Sequence, residues 1–166
     1  RYAARSLDKL GRPGLALYYL RESVALGEPL DAAAQAQLQR ELCFLYEQQA
    51  DPVRALDACQ RAVVGTPDAE LQVRLLRLQR KAGRADAAHR TLAGLDLAAF
   101  PKVLRAAVFD EQAELDEAEG RHAESIGALR RACALEETGE RLYRLGLRLR
   151  ESGDLAAAEA SLAAAV

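Results

Sequence analysis

Residues suited to tight helix-to-helix turns recur along the 166-residue chain at nearly constant intervals, and that recurrence constrains the fold more than any other feature. Gly11, Ala50, Gly83, Gly120 and Gly153 mark the turns, separated by 39, 33, 37 and 33 residues. The same pattern returns around each. Five residues beyond stand Ala16, Ala55, Ala88, Ser125 and Ala158, all small, as close approach of two helix backbones requires. Nine beyond are the apolar Leu20, Cys59, Leu92, Leu129 and Leu162, and twelve beyond the mostly small Ser23, Ala62, Leu95, Ala132 and Ala165. Seven before are Ala4, Cys43, Leu76, Ala113 and Gly146, four of the five small. A helix pair of this kind cannot bury its apolar faces alone, so the agreement predicts a stack in which each pair covers the next.

The last copy, Arg144 to Val166, shows the physics most plainly. Leu142, Leu145, Leu147 and Leu149 recur at helical spacing with arginines between them, and Ser152-Gly153-Asp154 forms the junction. Asp154 is suited to capping a second helix carrying Ala158, Leu162 and Ala165. Boundary signals divide the chain into units 1–28, 29–66, 67–100, 101–137 and 138–166, read as one module. Thr66 is expected to cap a helix with Pro67 in its first position and Asp68 and Glu70 in its first turn, and Asp31 is expected to cap the helix after Pro29-Leu30. Pro101 breaks the chain after Phe100, making Leu95 to Phe100 a connector or single turn, and Gly94 interrupts the helix before it. The composition agrees: half the residues are apolar, mostly Ala and Leu, aromatics are 5%, and Asn, Met and Trp are absent.

These residues resemble the tetratricopeptide repeat, a helix–turn–helix unit of about 34 residues. The second unit carries the resemblance through Leu42, Cys43, Tyr46, Ala55, Cys59, Ala62 and Pro67, and the last through Leu142, Leu145, Gly146, Ala158, Leu162 and Ala165. In the fourth unit Gln112 and Asp116 stand where the family has apolar residues, so its first helix is expected to use Val108 and Leu115 instead. The resemblance implies an all-α, right-handed α-solenoid of stacked antiparallel helix pairs, whose first helices line a concave surface that takes a peptide, helix or folded partner. Transferred by position, that lining is Arg1, Arg5, Arg40, Phe44, Arg77, Arg80, Asp110, Glu114, Glu117, Tyr143 and Arg150. Such a groove is basic early and acidic around the fourth unit. The subset of the family that grips a C-terminal carboxylate uses Asn and Lys; this chain lacks Asn and has only Lys9, Lys81 and Lys102, which argues against that activity.

The expected function is a non-catalytic protein–protein scaffold without cofactor or metal. His89 and His122 are expected at the surface, away from any convergent nucleophile, and no glycine-rich phosphate loop is visible. Cys43, Cys59 and Cys133 include no CxxC pair and read as small buried hydrophobes, with a Cys43–Cys59 bridge as the alternative. Of Tyr18 and Tyr19, at least one is expected in the core. Net charge of −2 advertises no nucleic acid, and Asp110, Glu114 and Glu117 would interrupt any RNA-binding stripe begun by Arg40, Arg77 and Arg80. No apolar run reaches the roughly 18 residues of a membrane span. The chain opens inside a helical pattern and closes without a polar cap, so it is read as a piece of a longer protein, with self-association through its terminal helices a further expectation. Family association suggests the periplasmic region of a bacterial outer-membrane polysaccharide exporter or phage receptor, which prefers the periplasm over the cytoplasm. A docking arm for an enzyme elsewhere in the parent chain is the remaining alternative.

Overall fold

The computed structural model describes residues 14, 15, 18–20, 22, 31–65 and 68–166. The expectations placed on Arg1, Ala4, Arg5, Gly11, Ala16, Ser23, Pro29, Leu30, Thr66 and Pro67 lie outside them. All regular structure among the described residues is helical. Two compact units are present. The first, Arg1–Arg84, contains α1 (Ala32–Gln48), α2 (Pro52–Gly65) and α3 (Ala69–Lys81). The second, Ala85–Val166, contains α4 (Ala85–Ala93), a 3-10 turn (Leu97–Ala99), α5 (Lys102–Ala118), α6 (His122–Leu135), α7 (Gly139–Glu151) and α8 (Leu155–Ala164). Within the units α1 packs on α2, α5 on α6 and α7 on α8, each pair joined by a short turn that forces antiparallel neighbours.

The turns share one construction. Ala50, Gly83, Gly120 and Gly153 all take left-handed backbone, at φ 55°, 68°, 73° and 88°. In each, the next amide reaches five residues back: Asp51 to the Tyr46 carbonyl, Arg84 to Gln79, Arg121 to Asp116 and Asp154 to Leu149, at 2.8–3.0 Å. These bonds satisfy carbonyls that a helix end leaves open. Three helix starts are capped by side chains in the same way: Asp31 accepts from the Ala34 amide at 2.7 Å, Thr138 from Arg141 at 3.3 Å and Asp154 from Ala157 at 3.2 Å. The start of α3 differs from expectation. Asp68, expected inside the first turn, is its cap, accepting from the Leu71 amide at 2.9 Å, because a carboxylate next to the first helical residue meets the open amides directly.

In the first unit Leu38, Leu42, Cys43 and Leu45 of α1 pack with Ala55, Leu56, Cys59 and Ala62 of α2 and Leu71, Leu75 and Leu78 of α3. Leu20 joins this core, whereas Tyr18 and Tyr19 stay 56% and 46% exposed in an edge-to-face pair. The expectation of a core tyrosine is therefore wrong; the neighbouring Leu20 fills the inward position. The cysteines carry no disulfide: Cys43 and Cys59 are buried free thiols, and Cys59 Sγ lies 3.7 Å from the Leu71 carbonyl. The hydrogen bond with Cys43, together with burial, pushes the Cys59 thiol far above its ordinary range.

The second unit centres on Ala113, Ile126, Ala128, Leu129, Leu145, Leu149 and Ala158. Its small residues let backbones approach: a Cβ on Gly146 would stand 2.6 Å from Leu162 Cγ. Val108 and Leu115 are buried in α5 as expected, but not in place of Asp116, whose position stays in the core. Asp116 is buried too and tolerated because Arg121 Nε donates to it at 3.0 Å. α4 stops at Ala93, ahead of Gly94, and Asp96 caps the 3-10 turn through the Ala98 amide at 3.2 Å.

Candidate interaction surface

The first helices carry the charge-bearing surface, and most of it is engaged between one repeat and the next. On α5, Asp110, Glu114 and Glu117 follow each other at spacings of four and three, which puts them on one side of the helix. On α7, Arg141, Arg144 and Arg148 do the same. The two rows interlock. Asp110 accepts from Arg141 at 2.8 Å and from Arg144 at 3.3 Å, Glu114 from Arg144 at 2.5 Å, and Glu117 pairs with Arg148 at 3.4 Å. Arg141 is the most enclosed, with its side chain 11% exposed, and also holds the Glu136 carboxylate at 2.7 Å.

A related arrangement joins α1 to the start of α3 in the first unit. Arg40 pairs with Asp68 and with Glu70, the latter at 3.1 Å, and Arg74 pairs with Glu47. Phe44 lies half-buried between two guanidinium groups, 3.7 Å below that of Arg74 and 5.8 Å from that of Arg40. Arg77 and Arg80 are half-buried and partnered on α3. Arg5 lies outside the described residues. Arg40 on one hand, and Asp110, Glu114 and Glu117 on the other, are thus each paired with opposite charges of a helix in their own unit. The arginines of α7 that complete the pairing were not among the expected residues, although they stand about one repeat length from the acids, the spacing that brings consecutive first helices together.

Tyr143 and Arg150 are placed differently. Counting back from their turns, Tyr143, Leu147 and Arg150 hold on α7 the positions that Asp110, Glu114 and Glu117 hold on α5. On α5 that side receives α7. On α7 it is uncovered within the unit: Tyr143 is 53% exposed, Arg150 is exposed and Leu147 half-buried.

Two histidine clusters escaped the sequence reading. His89 Nε2 lies 3.0 Å from Glu119 Oε1 and 3.2 Å from Arg121 Nη2. One ring nitrogen cannot donate and accept at once, so with Nε2 protonated it donates to Glu119 while Arg121 pairs directly with the same carboxylate. His89, first, and Arg121 hold the Glu119 carboxyl below the usual carboxylate range. His122 Nδ1 lies 3.0 Å from Glu117, beside a recess of about 370 Å³ shared with Arg148, Glu151 and Ser152. The Ser152 hydroxyl instead donates to the Leu149 carbonyl at 2.9 Å, so serine, histidine and carboxylate form no relay. Both imidazoles are substantially exposed, 40% for His89 and 67% for His122. Among the described residues no acids, thiols and imidazoles converge in a metal-binding group, and no helix is long and apolar enough to cross a membrane.

The fold has close counterparts among solved structures. A MamA double mutant titled "MamA RS-1 ArsTM" superposes with a TM-score of 0.83 at 17% identity, covering 99% of this chain and 89% of its own. MamA from Desulfovibrio magneticus RS-1, residues 41 to the end, gives 0.80 at 20% identity, with 99% and 90% covered. A further MamA crystal structure gives 0.76 at 16% identity, with 98% and 91% covered. The chain therefore has the helical-repeat fold of the tetratricopeptide type. No protein-family model matches the sequence, and none of the curated proteins does.

Proposed function

We propose that this chain is a non-catalytic scaffold that binds another protein through the side of α7 that bears Tyr143, Leu147 and Arg150. The observation that carries this reading is the equivalence between the two first helices of the second unit. The side of α5 bearing Asp110, Glu114 and Glu117 docks a helix, and the corresponding side of α7 offers Tyr143, Leu147 and Arg150 to solvent. Among the described residues nothing covers this side, and a helix of a partner protein fits it as α7 fits α5. Tyr143 supplies an aromatic anchor and Arg150 a charged contact at its edge, the residue types that dominate protein interfaces. The pairing of Arg40 with Asp68 and Glu70 removes a cation that an RNA-binding stripe would use.

The test is affinity capture with the wild-type chain and a Tyr143→Ser/Arg150→Glu variant, both first shown to melt alike. The proposal expects a protein retained by the wild type and lost at least tenfold by the variant. Equal retention by both overturns the assignment of this surface.

A further inference from the structure

On the other side of α5 lies a recess of about 470 Å³ between the 3-10 turn, α5 and α6. Leu97, Phe109 and Leu135 give it an apolar floor, and Arg105 and Arg131 stand at its rim. Arg105 and Phe109 are one helical turn apart, whereas Glu114 points nearly opposite Arg105, so this recess and the α5–α7 charge rows do not share a face.

The two arginines differ from those that brace one repeat against the next. Arg121, Arg141, Arg144 and Arg148 all hold carboxylates. Arg105 and Arg131 pair with none among the described residues. Arg105 Nε is buried without a hydrogen-bond partner, which is costly for a cationic donor. Arg131 lies with its guanidinium 4.7 Å from the Phe109 ring centre, and its Nε donates to the Gly127 carbonyl at 3.3 Å. A volume of about 470 Å³ accommodates one or two side chains, and the recess is more open than enclosed, which suits a segment lying across it.

We propose that this recess binds an acidic–apolar peptide segment of a partner protein, a Leu or Phe side chain entering over Phe109 while an adjacent Glu or Asp carboxylate is taken by Arg105 and Arg131. The charge complementarity sets the occupant. A purely apolar segment would leave the charges of Arg105 and Arg131 without a counter-charge, and a purely acidic one would leave the floor wet. This site goes beyond the α7 surface and does not depend on it.

Fluorescence anisotropy on the full chain tests it with three labelled, end-capped peptides in one Gly/Ser frame: Leu-Glu-Glu-Phe, its amide counterpart Leu-Gln-Gln-Phe, and Ser-Glu-Glu-Ser. The first is expected to bind at least tenfold tighter than either of the others. Arg105→Gln should reduce its affinity about tenfold, and Arg131→Gln should do the same, while Tyr143→Ser/Arg150→Glu should leave it unchanged. Circular dichroism melts of all variants separate lost binding from lost folding; Phe109→Leu, which keeps an apolar floor, replaces any arginine variant that fails to fold and should weaken binding at least threefold. Equal binding of the three peptides overturns the proposal, as does affinity indifferent to these variants. Sodium decanoate runs in parallel, and its binding in the absence of peptide binding would assign the recess to a lipid carboxylate and overturn the proposal too.

Discussion

Ala50 occupies, with a side chain, the left-handed turn position that glycine fills at Gly83, Gly120 and Gly153. Left-handed backbone costs an L-residue about 1–2 kcal/mol, more than the extra freedom glycine has in the unfolded chain. Ala50→Gly is therefore expected to stabilise the fold by about 0.5–1 kcal/mol, read as a higher urea midpoint; a lower midpoint would contradict the turn assignment. Two helical glycines separate space from propensity. A Cβ at Gly127 meets nothing within 4 Å, so Gly127→Ala should gain up to about 1 kcal/mol of helix propensity. At Gly146 the added Cβ would lie 2.6 Å from Leu162 Cγ and 3.3 Å from the Ala158 carbonyl, and overpacking of this kind costs about 1–3 kcal/mol. Gly146→Ala should thus destabilise while Gly127→Ala stabilises, checked by the same denaturation curves. At Glu119 the folded carboxyl titrates below its unfolded value, so its contribution is complete above the unfolded value and is lost as pH falls through the folded one. His89→Ala should move the Glu119 titration upward towards the ordinary carboxylate range, followed by carboxyl carbon NMR; an unmoved titration would show that the histidine does not hold it.

At the scale of elements, the charge rows of α5 and α7 are the structural consequence of the repeat. Partly buried pairs held by several contacts exceed the small worth of isolated surface pairs, yet each still carries a desolvation cost. Arg141, at 11% exposure with Asp110 and Glu136 as partners, should matter most: Arg141→Ala is expected to cost about 1–2 kcal/mol. A double-mutant cycle between Glu114 and Arg144 should give about 0.5–1 kcal/mol of coupling, and zero coupling would mean the pair is incidental. The existence of α1 to α8, their turns and the 3-10 break were legible in the sequence because each rests on local signals: glycine spacing, capping Asp and Thr, and Pro101. The cap on α3 was misplaced by two residues because Thr66 and Asp68 carry equally good capping chemistry. The charge pairing has no local signal, because it joins residues about one repeat apart on two first helices whose faces meet only when the repeats stack. The recess at Arg105 and Arg131 had no local signal at all; it exists only where the connector folds onto α5 and α6.

For the molecule as a whole, the same interaction serves architecture and recognition. A repeat fold holds each helix pair by the side of its neighbour, so a side left uncovered is shaped to receive another helix. Tyr143 and Arg150 on α7 are proposed to form that receiving surface. Hydroxyl-radical footprinting of the full chain, free and with its captured partner, reads this directly because tyrosine oxidises in proportion to its exposure. Tyr143, 53% exposed, should lose reactivity severalfold on binding while the half-buried Tyr46 does not change. A partner that binds and leaves Tyr143 as reactive as before would contradict the claim.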